Sequence, residues 1–256
     1  MLLALDVGNS NVTIGAFDGD TLAGRWRLRT IREQTADEWG ILIRNLFSLS
    51  SLDLAAVDGV IISSVVPAVD QPLEAMADRY FHRKPLFVNY TTDLGIAIRY
   101  DNPREVGADR LVNGVAGYRK YGGPVVVVDL GTTINFDIVS ADGVFLGGLI
   151  CPGIGMSISG LFARTARLPM VDFREPEKLI GSNTVGSITS GLFYGFVGMI
   201  DGIVERLASG ELGPNLKCVA TGGQGELIVK PSRWVMTYDE DLTLDGLRFI
   251  WERNRG

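Results

Sequence analysis

The sequence predicts an α/β fold made of two similar lobes. Residues 2–10 (LLALDVGNS) and 125–133 (VVVVDLGTT) each contain an apolar run followed by Asp, one apolar residue, Gly and two small polar residues. Strands and helices alternate after the first copy, and the second copy opens with the same strand–turn–strand order, as in α/β folds. The offset that aligns residue 2 with residue 125 also aligns Gly24 with Gly147. An internal duplication is the simplest explanation, and convergence on one strand–turn–strand solution is the alternative.

The first predicted lobe begins with a buried strand that enters the first Asp-Gly turn. Two more strands follow it as a meander, and Thr35 with Glu38 forms a capping box that opens a helix. A Pro at position 67 starts the next helix, and Gly122-Gly123-Pro124 ends the lobe at residue 121. The predicted strands cover 2–6, 12–17, 22–28, 57–64 and 85–88, and the predicted helices cover 35–47, 67–81 and 110–121.

The second predicted lobe, residues 122–256, repeats this opening with strands at 125–129, 135–140 and 144–150. Pro152-Gly153 leads into a helix, and a polar linker follows near residues 175–178. Thr184 is the predicted N-cap of a long helix that runs to about residue 208 and carries five glycines. Those glycines permit close approach of another helix, including one across a subunit interface. A strand at 217–220 and a terminal helix at 242–252 complete the lobe.

Charge and composition exclude several classes of function. The formal net charge of −6, with no cluster of basic residues, disfavours direct binding of nucleic acid. Two charge-free runs, 143–163 and 179–200, are long enough to cross a membrane, but Gly, Ser, Thr, Asn and Pro interrupt them. Buried elements of a soluble protein are the better interpretation. The N-terminus lacks a basic stretch before its apolar run, so we expect a cytoplasmic protein.

Cysteine and histidine usage narrows the chemistry further. Cys151 and Cys218 lie far apart without a CxxC spacing, which favours two buried free thiols. His82 is the single histidine, so a histidine-rich metal site is excluded. Any proton transfer is therefore expected to use a carboxylate.

The two Asp-Gly turns predict a phosphate site. Glycine lets backbone N–H groups approach a ligand, the small polar residues add contacts without bulk, and a strand-ending Asp can hold a metal ion. Either turn alone could be an ordinary strand-ending turn. As a pair, they predict two lobes that grip the phosphate tail of a nucleotide between them. Gly222-Gly223, after a later strand, offers a flat backbone surface for a purine, although it could also be a simple loop.

Two nucleotide-binding motifs are absent from the sequence. It contains no P-loop and no Gly-x-Gly-x-x-Gly fingerprint after a strand.

Residues 100–110 (YDNPREVGADR) form the second candidate for chemistry. Pro and Gly fix a loop, which then presents Asp109 beside Arg110 at the start of a helix. A carboxylate base next to a fixed cation could deprotonate and clamp an acidic substrate. An Asp at a helix start is also a common capping residue, so both interpretations stay open.

These motifs together resemble the type III pantothenate kinases, members of the superfamily of acetate and sugar kinases, heat-shock chaperones and actin. The resemblance runs nearly end to end, and its most specific element is Gly107-Ala108-Asp109-Arg110. It implies two ribonuclease H-like lobes, a duplicated actin-like ATPase fold, with a nucleotide cleft between them. The matching motifs lie at 6–10, 100–110, 129–132, 152–153, 183–184, 190–191, 221–223 and 242–247.

The resemblance also implies a reaction and a set of roles. ATP would phosphorylate the primary hydroxyl of pantothenate to give 4′-phosphopantothenate, the first step toward coenzyme A. Asp109 would accept the hydroxyl proton, Asp6 would lie near Mg²⁺, and Asp129 would bind potassium or ammonium. The implied ATP contacts are Asp6, Val7, Gly8, Asn9, Ser10, Asn11, Val12, Thr13, Thr132, Gly222 and Gly223, and the implied pantothenate contacts are Tyr100, Gly107, Ala108, Asp109, Arg110 and Thr184.

One segment departs from the family pattern. Family members commonly continue the second Asp-x-Gly-Thr with Ala, a variable residue and Thr, whereas this chain has Thr133-Ile134-Asn135. We expect altered phosphate contacts and an altered nucleotide preference rather than loss of activity.

The resemblance further implies a homodimer, with Thr184 near its interface. The competing interpretations are a kinase for another small alcohol and a non-catalytic regulatory member of the same family. The intact Asp6, Asp109 and Gly107–Arg110 element argues against both. A filament-forming or chaperone-like ATPase would need subdomains for which this chain has no room.

Overall fold

The computed structural model describes residues 1–163 and 169–255. Its contacts divide the chain into two units. The first unit comprises Met1–Ala116 together with the segment from Leu242 onward, and the second comprises Gly117–Asp241. The sequence places a single boundary between residues 121 and 122. The structure instead divides the chain five residues earlier and returns the terminal helix to the first unit.

The first unit contains a five-stranded sheet in the order β3-β2-β1-β4-β5. Strand β1 pairs antiparallel with β2 and parallel with β4. Short 3₁₀ turns occupy Leu54–Ala56 and Pro103–Glu105, and a π-helical turn at Ala77–Phe81 continues α2. The strands of this sheet are β1 (Leu2–Val7), β2 (Asn11–Asp18), β3 (Thr21–Arg29), β4 (Gly59–Ser64) and β5 (Leu86–Phe87), and the two-residue strand β6 (Ala97–Ile98) is not part of it. The helices are α1 (Ala36–Leu49), α2 (Pro67–Met76), the start of α3 (Ala108–Tyr121) and α7 (Leu242–Asn254).

Local sequence explains why α1 starts where it does and which side it buries. The Thr35 hydroxyl accepts a hydrogen bond from the Glu38 N–H, and the Glu38 carboxylate accepts one from the Thr35 N–H, so the predicted capping box is present. Further along the helix, Ile43 and Phe47 lie about one turn apart and are buried in the same core as Leu5 of β1. The amphipathic stripe of α1 therefore covers one face of the sheet.

The second unit repeats this topology. Its strands follow the order β9-β8-β7-β10-β11, with β7 antiparallel to β8 and parallel to β10. Its core packs β7 and β8 side chains against one face of α5, including Phe193 and Ile200. The elements are β7 (Val125–Leu130), β8 (Thr133–Val139), β9 (Val144–Pro152), α4 (Ile154–Ala163), α5 (Thr184–Ser209), β10 (Lys217–Thr221), α6 (Gly225–Val229) and β11 (Thr237–Tyr238). The identical strand order confirms the prediction of two similar α/β lobes.

Helix α5 is a core helix of the second unit. Among the described residues it is the one helix long and apolar enough to cross a membrane by length and composition alone. Its buried Asp201, however, accepts hydrogen bonds from the Ser232 hydroxyl and the Arg233 N–H. The cap also differs from the prediction, because the Asn183 side chain, not that of Thr184, accepts the Gly186 N–H at 2.8 Å.

The two cysteines are both free thiols. Cys218 is buried in the second unit, as the sequence predicts, whereas Cys151 on β9 is only half-buried.

Candidate active site

The first Asp-Gly turn joins β1 to β2 and is held from two sides. The Gly8 N–H donates to the Asn11 carbonyl at 3.0 Å, which closes the turn. Thr30, just beyond the end of β3, donates its N–H to the Ser10 carbonyl at 3.0 Å and its hydroxyl to the Gly8 carbonyl at 2.6 Å. The turn is therefore a fixed backbone loop.

Asp6 lies in a row of polar residues that crosses the first sheet. In the strand register Asp6 is beside Ser63 of β4 and opposite Thr13 of β2, and Arg27 of β3 follows Thr13. Residues paired in this way share one face of a sheet. Among the described residues, the Ser63 hydroxyl is a buried group without a hydrogen-bond partner. A partnerless hydroxyl beside a carboxylate fits a place where a ligand or ion completes the hydrogen bonding.

The second Asp-Gly turn joins β7 to β8, and two other segments of the second unit approach it closely. A Cβ added to Gly222 would lie 2.6 Å from Asp129 Oδ1, and the φ of Gly222 is +86°. A Cβ added to Gly153 would lie 2.1 Å from the Thr132 carbonyl oxygen. Glycine is thus required at both positions, because only backbone without side chains fits against the turn.

The departure from the family pattern lies directly beside Asp129. Asn135 is opposite Asp129 in the β7–β8 register, the place that Thr13 takes opposite Asp6. Asn135 is buried and its Oδ1 accepts a hydrogen bond from the Thr133 hydroxyl at 3.1 Å. The substitution therefore puts an amide where the first unit has a hydroxyl.

Asp109 lies in the first turn of α3, next to a buried cation. Its Oδ1 accepts a hydrogen bond from the Arg110 N–H at 2.8 Å, and Arg110 is only 6% exposed. A Cβ on Gly107 would lie 2.5 Å from the same carboxylate oxygen, so a side chain there would displace it. Burial raises the pKa of the Asp109 carboxyl, and the N–H and charge of Arg110 oppose that rise.

This geometry combines the two interpretations of Asp109 that the sequence leaves open. The carboxylate does bond to an N–H of the first helical turn, as a capping residue would. Its raised pKa and its guanidinium neighbour also suit a proton acceptor. Tyr100, in the same loop, is half-buried.

The remaining predicted substrate contact, Thr184, is an exposed residue at the start of α5 in the second unit. A cavity of about 280 Å³ lies beside it, lined by the 174–183 loop and the first turns of α5, including Arg174, Lys178 and Thr189.

Sequence reasoning missed three residues that touch the site. Ser63, Thr30 and Tyr238 lie beside Asp6, Gly8 and Gly222 respectively, and the Tyr238 hydroxyl donates to the Gly222 carbonyl at 3.1 Å. None of the three lies within a recognisable motif. Strand register is the signal that could have found Ser63, because the parallel partner of a strand-ending Asp faces the same side.

Comparison with solved structures supports the fold. A protein from Campylobacter jejuni described as a Baf family transcriptional activator matches with a TM-score of 0.63 and 21% identity, covering 98% of each chain. A protein from Sinorhizobium meliloti described as a 2-dehydro-3-deoxygalactonokinase matches with a TM-score of 0.60 and 14% identity, covering 99% of this chain and 97% of that one. At such identities the likeness concerns the fold alone, a duplicated actin-like fold.

Comparison with sequences identifies the family. The profile of the type III pantothenate kinases matches residues 2–206. A type III pantothenate kinase from Solibacter usitatus (strain Ellin6076) is 66% identical over 254 residues, covering 99% of this chain and 97% of the relative. With a profile that spans both Asp-Gly turns and the Gly107–Arg110 element, this chain belongs to the type III pantothenate kinase family.

Proposed function

We propose that this chain transfers the γ-phosphoryl group of ATP to the primary hydroxyl of pantothenate, giving 4′-phosphopantothenate and ADP. This is the first step of coenzyme A biosynthesis. The observation that carries the proposal is the Asp109–Arg110 pair at the start of α3, in the setting that Gly107 makes possible. A carboxylate with a raised pKa beside a guanidinium supplies both a base and a clamp for an acidic alcohol.

In this reaction the pantothenate hydroxyl oxygen attacks the γ-phosphorus while the bond from that phosphorus to the ADP oxygen breaks. Asp109 accepts the hydroxyl proton, and Arg110 pairs with the pantothenate carboxylate. The further proposed pantothenate contacts are Tyr100, Gly107 and Ala108 in the first unit, and Thr184, which would be contributed near the dimer interface. Phosphoryl transfer depends on positioning and charge neutralisation more than on covalent help, so the chain needs a base and fixed phosphate-binding turns rather than a nucleophilic side chain.

ATP binding is assigned to the two Asp-Gly turns. Backbone N–H groups in turns of this kind favour phosphate oxygens. The proposed contacts are Asp6 to Thr13 in the first unit and Thr132 in the second, with Gly222 and Gly223 as the surface for the purine.

The residues around Asp6 fit Mg²⁺ bound together with phosphates. The described residues contain no cluster of three acidic, histidine or cysteine side chains that could hold a metal ion alone. Mg²⁺ in kinases typically takes one or two carboxylates and completes its shell with phosphates and water. Asp6, with the partnerless Ser63 hydroxyl beside it, offers that kind of incomplete site. When bound, Mg²⁺ would neutralise phosphate charge.

Asp129 is the proposed ligand of potassium or ammonium. Its carboxylate lies against the Gly222 backbone, and in the strand register Asp129 is opposite Asn135, whose side chain offers an amide oxygen as a further ligand type. We further propose a cytoplasmic homodimer that acts on a small molecule and engages neither nucleic acid nor membrane.

The first experiment is ATP-dependent phosphorylation of pantothenate by the purified chain with Mg²⁺, in potassium and in sodium buffers. We expect turnover that depends on potassium. Asp109→Asn should lower kcat by at least about 100-fold, the usual contribution of a positioned base. Asp142→Asn, in an exposed hairpin turn, is the matched control and should keep full activity. A folded protein that binds ATP but phosphorylates no pantothenate in either salt would refute the proposal.

A further inference from the structure

Two of the turns proposed to contact ATP, the Gly8 turn after β1 and the Gly222 turn after β10, each accept a hydrogen bond from a side-chain hydroxyl group. We call them the two glycine turns. In the first unit the Thr30 hydroxyl donates to the Gly8 carbonyl at 2.6 Å. In the second unit the Tyr238 hydroxyl donates to the Gly222 carbonyl at 3.1 Å. Both glycines are the first glycine of their turn, and both hydroxyls come from a strand end that is distant in sequence.

The direction of a carbonyl matters in a phosphate-binding turn. Carbonyl oxygens repel phosphate oxygens, whereas N–H groups attract them, so the Gly8 turn binds phosphate when its carbonyls point away. In the Gly222 turn, which is assigned to the purine, the direction of the peptide instead sets the backbone surface on which the base would lie. Glycine peptides rotate more freely than others, because no Cβ restricts their backbone angles. A hydroxyl that engages the glycine carbonyl therefore removes a freedom that would otherwise cost binding energy.

Thr30 is well placed to restrain the whole first turn. The β2–β3 register ends with Asn11 opposite Arg29, so Thr30 is the next residue beyond the ladder. Its N–H donates to the Ser10 carbonyl at 3.0 Å, which adds a second contact to the one made by its hydroxyl. Two carbonyl oxygens of the turn are thereby directed at one residue.

Tyr238 is itself held firmly against the second turn. It pairs with Ala220 at the end of β10, and the following Asp239 N–H donates to the Ala220 carbonyl at 2.8 Å. A Cβ on Gly225 would lie 2.6 Å from the Tyr238 ring, so the ring packs directly on the backbone after the turn.

We propose that Thr30 and Tyr238 are positioning residues that set the two glycine turns for nucleotide binding. This inference rests on the proposed function, because it assumes that those turns contact ATP. Neither residue is proposed to touch the nucleotide. Their hydroxyls act through the Gly8 and Gly222 carbonyls, so their loss should weaken nucleotide binding selectively.

The test uses Thr30→Val, which replaces the hydroxyl with a methyl group, and Tyr238→Phe, which removes only the hydroxyl. Both are compared with Thr30→Ser, which keeps the hydroxyl. Thr21→Val, at the exposed start of β3, is the matched control for Thr30. Tyr118→Phe is the control for Tyr238, because its hydroxyl also donates to a carbonyl, that of Ala141 at 3.4 Å, away from both turns. The readouts are the Kd of a non-hydrolysable ATP analogue by calorimetry, KM for ATP and for pantothenate, and the melting temperature.

We expect Thr30→Val and Tyr238→Phe each to raise the Kd of the analogue and KM for ATP about fivefold, the effect of losing one hydrogen bond. KM for pantothenate should stay unchanged, Thr30→Ser should bind like the wild type, and both controls should do the same. Unchanged nucleotide affinity in both hydroxyl-free variants would overturn the proposal. Equal changes in both KM values, or a loss in Thr30→Ser equal to that in Thr30→Val, would also overturn it.

The outcome is separable from the fate of the proposed function. If the wild type binds the analogue but phosphorylates no pantothenate, the proposed function fails while the calorimetric series still decides the role of the two hydroxyls. If the wild type binds no nucleotide, both proposals fail. Should Thr30→Val not fold, the folded Tyr238→Phe and Thr30→Ser proteins still provide the comparison.

Discussion

At the scale of single residues, Asp109 couples the chemistry of the site to the stability of the fold. Burial raises the pKa of its carboxyl, and the raised pKa means that the folded chain holds the proton more tightly than the unfolded chain does. Ionisation of Asp109 therefore destabilises the fold. The penalty is absent below the ordinary Asp pKa of about 3.9 and is complete once the pH exceeds the raised pKa.

This sign predicts that Asp109→Asn stabilises the protein near neutral pH although it lowers kcat. Asn removes the buried charge but keeps the shape and an acceptor for the Arg110 N–H. We expect a higher melting temperature than wild type at pH 7.5 and a difference that shrinks as the pH falls toward 4. Thermal unfolding at the two pH values measures it, with Asp142→Asn as a control that changes neither value. A lower melting temperature for Asp109→Asn at pH 7.5 would contradict a raised pKa of Asp109 in the folded chain.

The same pKa predicts the pH dependence of catalysis. Asp109 must be ionised to accept a proton, so kcat/KM should fall on the acid side at a pH above the ordinary Asp range. A pH–rate profile between 4 and 9 with saturating ATP locates this limb. An acid limb at or below pH 4 would be incompatible with a buried Asp109 as the base.

Site residues that belong to a short sequence motif were predictable, whereas residues that reach the site only through a long-range contact were not. Asp6, Asp109 and Gly222 belong to short patterns whose residue types imply their chemistry. Thr30 and Tyr238 are ordinary residues in sequence, and only the folded chain brings them to Gly8 and Gly222. Long-range partners of this kind leave no local signal.

At the scale of elements, the turn around Thr132 depends on its neighbours as much as on its own residues. Gly153, between β9 and α4, lies so close that a Cβ would be 2.1 Å from the Thr132 carbonyl oxygen. Because that atom belongs to the backbone, relief requires the turn itself to move.

We therefore expect Gly153→Ala to lower the free energy of unfolding by about 1–3 kcal/mol, as overpacking typically does, and to weaken ATP binding. Gly155→Ala is the matched control two residues away, since nothing lies within 4 Å of an added Cβ there. It should leave the free energy of unfolding unchanged or slightly higher, because Ala has a higher helix propensity than Gly. Urea unfolding of the three proteins measures the difference, and equal stability of Gly153→Ala and Gly155→Ala would disprove the close approach.

Elements were predictable in proportion to their length and regularity. The long apolar runs predict β1, β4 and β7, because such a run indicates a buried strand even when the strands that pair with it are unknown. The two-residue strands β5 and β11 and the short α6 owe their existence to pairing and packing instead. Among these, β11 and α6 have no counterpart in the prediction. The N-cap of α5 shifted by one residue for a similar reason, since Asn183 and Thr184 are both competent caps and the chain path selects Asn183.

At the scale of the whole molecule, the repeated strand order was predictable and the assignment of the last helix was not. The repeat is visible because Asp, Gly and apolar positions recur at one offset. Helix α7 follows the second lobe in sequence, yet it belongs to the first unit, where a Cβ on Gly246 would lie 2.5 Å from the Val112 carbonyl oxygen. A chain that returns to its first unit shows no change in composition at the point of return.

The surface of α5 leads to the last prediction, which concerns assembly. Gly191, Gly195 and Gly198 lie on its exposed side at helical spacing, and an added Cβ at any of them meets nothing within 4 Å. Tyr194 adds an exposed aromatic ring to this side. An apolar helix face that is open to this degree is typical of a surface covered by another protein. The proposed homodimer would use it.

If that is so, Gly195→Glu should leave the fold of each unit intact and abolish dimerisation, because a buried unpaired carboxylate opposes association. Light scattering after size exclusion should give twice the chain mass of 27.7 kDa for the wild type and the single mass for the variant. Leu49→Glu, at a residue of α1 that is 84% exposed, is the control and should remain dimeric. Circular dichroism distinguishes dissociation from unfolding. A dimeric Gly195→Glu protein would remove α5 from the interface, and a monomeric wild type would remove the dimer itself, leaving the open glycine face without an assigned role.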